Sequence, residues 1–157
     1  MWLQVLRARN ESADRCPTEV EPGVFVGGVV TRARWAALRA AGVTHVVCLL
    51  AEAAPDRWLA EADSVLWLAV PDRDPPSPEQ FRAGCAFLDA ARAQGHKVSI
   101  YCGSGMGRAP TMYVAWWLRR ESRDVTTAIR VVQNARPVAK PTLRQREALE
   151  RWARSER

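Results

Sequence analysis

Three near-continuous apolar runs, Val43–Leu50, Ser64–Val70 and Lys97–Tyr101, constrain the fold of this chain more than any other feature. A strand wetted on one face alternates apolar and polar residues. Val43-Thr-His-Val-Val-Cys-Leu-Leu50 does not alternate and is rich in β-branched side chains, the pattern of a strand covered on both faces. Between the runs lie segments with three- and four-residue apolar spacing and their own start and stop signals. Thr31 precedes Ala33, Trp35, Ala36, Leu38 and Ala41, and Gly42 closes them; Ser77 precedes Phe81, Cys85, Leu88 and Ala91, and Gly95 closes those. Three further helices are expected: Pro110 to Arg120, a segment capped by Asp124 that ends before Pro137, and a segment from Thr142 onward. Pro22 to Gly28 adds a short strand bracketed by turn residues. Strands alternating with helices predict an α/β fold: a mainly parallel central sheet of four to five strands, helices on both faces, and a site in the loops at strand C-termini.

At 157 residues the chain is long enough to bury a full core as one domain. Cys16, Cys48, Cys85 and Cys102 form no C-x-x-C pair, which argues against a zinc ribbon or a disulfide scaffold and for a reducing, cytoplasmic setting. No apolar stretch is long enough for a membrane span and the N-terminus does not read as a signal peptide, so no membrane partner is expected. Lys and Arg outnumber Asp and Glu 23 to 17, which favours anionic ligands. The arginines are interleaved with acids, as in Arg144-Gln-Arg-Glu-Ala-Leu-Glu-Arg151, and read as solvated helix faces; nucleic acid is therefore not the expected partner. His45 and His96 are far apart in sequence, so no metal site is expected from them. Trp35, Trp67 and Trp116 fall at expected core positions; a sugar-binding platform is the lesser alternative, for which Trp58 is the best exposed candidate.

The third run leads into Ser99-Ile-Tyr-Cys-Gly-Ser-Gly-Met-Gly-Arg-Ala-Pro-Thr111. A dinucleotide G-x-G-x-x-G would need glycine at position 108, where arginine stands, and a Walker loop fails at the same position. C-x5-R remains. Glycines at 103, 105 and 107 let successive backbone N–H groups converge into an anion nest at the start of a helix. Such a field favours a Cys102 thiolate in line with a bound phosphorus. Arg108 can clamp two phosphoryl oxygens with its planar fork. Attack by Cys102 on a phosphoester expels an alkoxide or phenolate that must be protonated, and the turn Pro71-Asp-Arg-Asp-Pro-Pro76 offers Asp72 and Asp74.

The loop resembles the H-C-x-x-G-x-x-R-[ST] signature of cysteine-dependent protein tyrosine and dual-specificity phosphatases, matching at Cys102, Gly105 and Arg108. Val20-Glu-Pro-Gly-Val-Phe-Val-Gly27 is similar to the family's first strand and Ala41-Gly-Val-Thr-His-Val-Val-Cys48 to its helix-to-strand passage. Arg136-Pro-Val-Ala-Lys-Pro-Thr142, followed by Gln145 and Leu149, is similar to its C-terminal pattern. The chain is identified as a member of the atypical dual-specificity type, with an extension over 1–19, where Trp2, Leu3 and Leu6 are expected to pack back, and a catalytic domain over 20–157. The resemblance implies Cys102 as nucleophile, Arg108 as transition-state clamp, a substrate cradle from Gly103, Ser104, Gly105, Met106, Gly107 and Arg108, and no cofactor or metal. The family's Asp-x-x-x-Pro spacing selects Asp72 over Asp74. It also suggests Cys48 as a redox partner that traps oxidised Cys102, against the alternative of a small core residue.

Tyr101 and Ala109 depart from the family's histidine and Ser/Thr. They raise the alternative of a phosphate-binding adaptor with little turnover. A cradle without lysines favours phosphotyrosine or phosphoserine/threonine of a protein partner over inositol phosphates. Phosphoglucan and RNA 5′-phosphate stay open, and a monomer is expected.

Overall fold

The computed structural model describes residues 13–155; Trp2, Leu3 and Leu6 lie outside them. Five strands form one sheet in the order β1-β2-β5-β3-β4, with β1 at Thr18–Glu21, β2 at Val24–Gly27, β3 at Val43–Leu50, β4 at Ser64–Val70 and β5 at Lys97–Tyr101. β2, β5, β3 and β4 are parallel. β1 pairs antiparallel with β2 through a tight turn in which Gly23 has φ +83°, a backbone state that side chains resist. The sheet therefore begins at Thr18. The boundary expected at residue 20 falls inside a strand, because the period-2 signal of four residues is too short to stand out.

Among the described residues, five helices cover the sheet: α1 Arg32–Ala40, α2 Pro78–Ala93, α3 Arg108–Arg120, α4 Val125–Ala135 and α5 Leu143–Ser155. Their starts follow the expected chemistry. Thr31 accepts the Arg34 N–H, Ser77 and Gln80 form a reciprocal capping box, and Asp124 accepts the N–H groups of Thr126 and Thr127. None of these helices is long and apolar enough to cross a membrane, among the described residues.

The two faces are unequal. Val24, Val26, Val47, Leu49, Val98, Ile100 and Cys102 point into the larger core with α2, α3, α4 and α5, where Phe81, Leu88, Met112, Trp116, Leu149 and Trp152 meet. Val46, Cys48, Leu50 and Tyr101 point the other way, to Trp35 and Leu38 of α1 and Leu59 of a 3-10 turn at Arg57–Glu61. One short helix and one turn cannot cover that face to its edge. Trp67, on the edge strand β4, is accordingly 48% exposed, held by its Nε1–H donating to the Leu50 carbonyl at 2.6 Å; it is not a core residue. Trp58 is half-buried against the smaller core and donates to the Val30 carbonyl at 2.9 Å, so among the described residues the exposed tryptophan is Trp67 and not Trp58. His45 and His96, distant in sequence, stack with ring centroids 4.5 Å apart at the N-terminal end of the parallel strands.

Candidate active site

β5 is the middle strand, and the chain leaves it at Cys102, on the side of Val98 and Ile100. The Cys102 N–H donates to the Gly27 carbonyl at 3.2 Å, which docks the start of the loop on the neighbouring strand. Gly105 has φ +72°, and a Cβ built there would stand 2.5 Å from the Gly27 carbonyl carbon. Only glycine satisfies both the turn and that approach. α3 begins at Gly107 without a side-chain cap, so its first-turn N–H groups, with the positive end of the helix dipole, are left for an anion. Ser104 turns inward on the loop and accepts the Met106 N–H at 3.3 Å. Its hydroxyl therefore shapes the loop. Met106, at the rim, is exposed.

Arg108 is buried and its donors are largely committed. Nη1 and Nη2 clasp the Glu52 carboxylate at 2.8 and 3.2 Å, and Nη1 also donates to the Val70 carbonyl at 2.8 Å. The Nη1–Nη2 fork is thus used by Glu52, which leaves the Nε–Nη2 edge for phosphoryl oxygens. Burial opposes the guanidinium charge, yet the bond to Glu52, the Cys102 sulfur and the Glu52 and Asp72 charges raise its pKa overall. Glu52 is held below the usual glutamate range by its bond to Arg108. Glu52 is not among the site residues that the sequence motifs point to. The signal was its place just beyond the C-terminal end of a parallel strand, where sites gather.

Asp72 and Asp74 face opposite ways. The Asp72 carboxylate lies 3.5 Å from Arg108 Nη2 and is largely exposed to the cleft, whereas Asp74 pairs with Arg144 of α5. Between them Arg73 adopts φ 67°, which reverses the chain; its carbonyl accepts the Thr142 hydroxyl at 3.1 Å. Gln145, fully buried, donates to the Asp74 carbonyl at 3.1 Å and accepts the Thr142 N–H at 2.8 Å. The acid loop is thereby held from α5 with Asp72 turned to the arginine.

Cys48 is not brought to Cys102. It pairs in register with Tyr101 and packs in the smaller core, while Cys102 belongs to the larger one, so the sheet separates the two thiols. Burial pushes the Cys48 thiol pKa up. The side chain of Tyr101 is likewise turned away from Cys102; its hydroxyl is buried beside Cys48, and burial raises its pKa as well. Among the described residues no three His, Cys, Asp or Glu side chains gather in a metal-holding group.

A sheet whose central strand runs into a C-x5-R loop and an uncapped helix, with a carboxylate opposite the arginine, defines a cysteine-based phosphatase. The family model of the dual specificity phosphatase catalytic domain matches residues 24–155, and the chain belongs to that family. Dual specificity protein phosphatase 1 of Arabidopsis thaliana is 28% identical over 150 residues, 92% of this chain and 74% of the relative. Among solved structures, Tk-PTP in its active form superposes with a TM-score of 0.80 at 25% identity, over 89% of this chain and 97% of that one. PTPMT1 in complex with PI(5)P shares the fold with a TM-score of 0.82 at 17% identity, over 90% of this chain and 96% of that one.

Proposed function

We propose that this phosphatase hydrolyses phosphotyrosine and phosphoserine/threonine of protein substrates through a phosphocysteine at Cys102. The observation that carries the reading is the convergence of Asp72 and Arg108, 3.5 Å apart, at the loop that Cys102 opens. The Cys102 thiolate attacks phosphorus as the P–O bond to the leaving group breaks, and the Asp72 carboxylic acid protonates the departing oxygen. The Nε–Nη2 edge of Arg108 and the loop N–H groups bind the equatorial oxygens, whose charge is best satisfied in the transition state. In the second step the Asp72 carboxylate takes a proton from water, which attacks phosphorus, breaks the P–S bond and releases phosphate and thiolate. A cradle lined by Gly103, Ser104, Gly105, Met106 and Gly107, without lysine, supports a singly phosphorylated side chain. The shared fold with PTPMT1, solved with PI(5)P, keeps a lipid phosphoester as the second reading.

The test is turnover of an aryl phosphate in EDTA, followed by a panel of phosphopeptides and phosphoinositides. Cys102→Ser should abolish hydrolysis and keep phosphate binding. Asp72→Asn should slow alkyl esters by about 10²-fold and aryl esters with good leaving groups much less. Undiminished hydrolysis by Cys102→Ser would refute the nucleophile, and tight phosphopeptide binding without turnover in the wild type would make the protein an adaptor.

A further inference from the structure

Three stretches of backbone stack behind the phosphate loop. Arg15–Pro17 form the outer layer, Gly27–Gly28 the middle one and Gly103–Gly105 the inner one. A Cβ on Gly27 would stand 2.8 Å from Pro17 Cα, and one on Gly28 would stand 2.8 Å from both Arg15 Cβ and the Gly103 oxygen. Two consecutive glycines at the end of β2 thus act as a thin spacer between the N-terminal segment and the loop. Hydrogen bonds stitch the layers: Gly28 N–H to the Arg15 carbonyl at 2.9 Å and Val29 N–H to the Gly103 carbonyl at 3.0 Å.

The carbonyls of residues 103 to 106 are engaged from outside the loop. Gly103 O accepts Arg15 Nη1 at 2.9 Å. Gly105 O accepts Arg136 Nε at 2.8 Å and Ser104 O accepts Arg136 Nη2 at 3.4 Å. Met106 O accepts the Lys140 N–H at 2.6 Å. Arg136 is itself 3% exposed, and its other donors reach the carbonyls of Asp14 and Cys16 and the Thr18 hydroxyl. In a planar trans peptide the carbonyl and the next residue's N–H point in opposite directions. Carbonyls of residues 103 to 106 pulled outward therefore turn the N–H groups of residues 104 to 107 inward, where the Ser104 hydroxyl accepts that of Met106 and those of 104, 105 and 107 are left for the anion.

We propose that Arg15 and Arg136 are positioning residues of the phosphate cradle and that Asp14–Pro17, ahead of the sheet, forms its back wall. This rests on the reading of the loop as a phosphate cradle. The brace supplies orientation from behind a loop in which Tyr101 and Ala109 replace the family's histidine and Ser/Thr.

The experiment uses the full chain and tungstate as the probe, with affinity measured by calorimetry well below the melting temperature and turnover of an aryl phosphate measured alongside. Arg15→Met should weaken tungstate about tenfold, the cost of one charge-assisted hydrogen bond, and raise KM in parallel. Arg15→Lys, which can still donate to the Gly103 carbonyl, should recover most of the loss. Wild-type affinity in Arg15→Met, or equal loss in the methionine and lysine variants, overturns the proposal. A second measurement needs no variant: tungstate should slow amide exchange at Gly28 and Val29 together with the loop's own amides. Protection confined to the loop also overturns it. Tungstate binding without turnover would reject the phosphatase reading and leave the brace standing.

Discussion

At the level of single residues, Arg108 and Glu52 act as one unit. Glu52 occupies the Nη1–Nη2 fork, so it fixes which edge of the guanidinium is left for the proposed phosphoryl contact. Glu52→Gln keeps the shape and removes the charge, and is expected to lower kcat/KM of an aryl phosphate about 10- to 100-fold, as misplacement of a clamp does. The pair also links stability to pH. Because Arg108 lowers the Glu52 pKa in the folded protein, the pair stabilises the fold above the ordinary glutamate value of 4.5, and that contribution is lost as pH falls from there through the folded pKa. Urea unfolding should show the wild type ahead of Glu52→Gln at pH 6, with the gap closing toward pH 3. The gap will be small, since Glu52 is half-exposed. A gap that widens on acidification would mean that Glu52 is not ionised against Arg108 in the folded state.

Among the elements, α3 is the helix whose start serves the site. Propensity alone would improve it with a serine cap at Gly107. The tertiary structure forbids this: a Cβ at Gly107 would stand 2.9 Å from Gln145 Oε1, and Gln145 is the fully buried group that ties the Asp74 carbonyl to Thr142. Gly107→Ser should therefore destabilise the protein by about 1–3 kcal/mol, the cost of unseating a buried hydrogen-bonded side chain. It should also lower kcat, because the acid loop loses its hold. A variant with raised melting temperature and unchanged kcat would show that Gln145 does not hold the loop. α1, α2 and α4 follow their local caps without such conflict, and Thr31, Ser77 and Asp124 were readable in the sequence because a cap is decided within four residues.

On the scale of the whole molecule, the sheet is a partition, and it decides which reactive groups meet. Peroxide treatment of the full chain followed by mass spectrometry should find no peptide linking Cys48 to Cys102, since they lie on opposite faces; a linked peptide in the folded protein would contradict this packing. The apolar runs by themselves determined a mainly parallel sheet with helices on both sides. C-x5-R by itself pointed to an anion cradle that joins Cys102 to Arg108, because strand, loop and helix start are contiguous. The sequence was silent on which face each side chain takes: in a run apolar at every position the period-2 signal is erased, so Cys48 reads equally well beside Cys102 or behind it. It was equally silent on Trp67, whose exposure depends on β4 falling at an edge, and on Glu52, Arg15 and Arg136, which reach the loop from 56, 88 and 31 positions away. Those contacts were decided only by the tertiary structure, because strand order and the depth of helix cover bring distant residues together and leave no mark on local spacing.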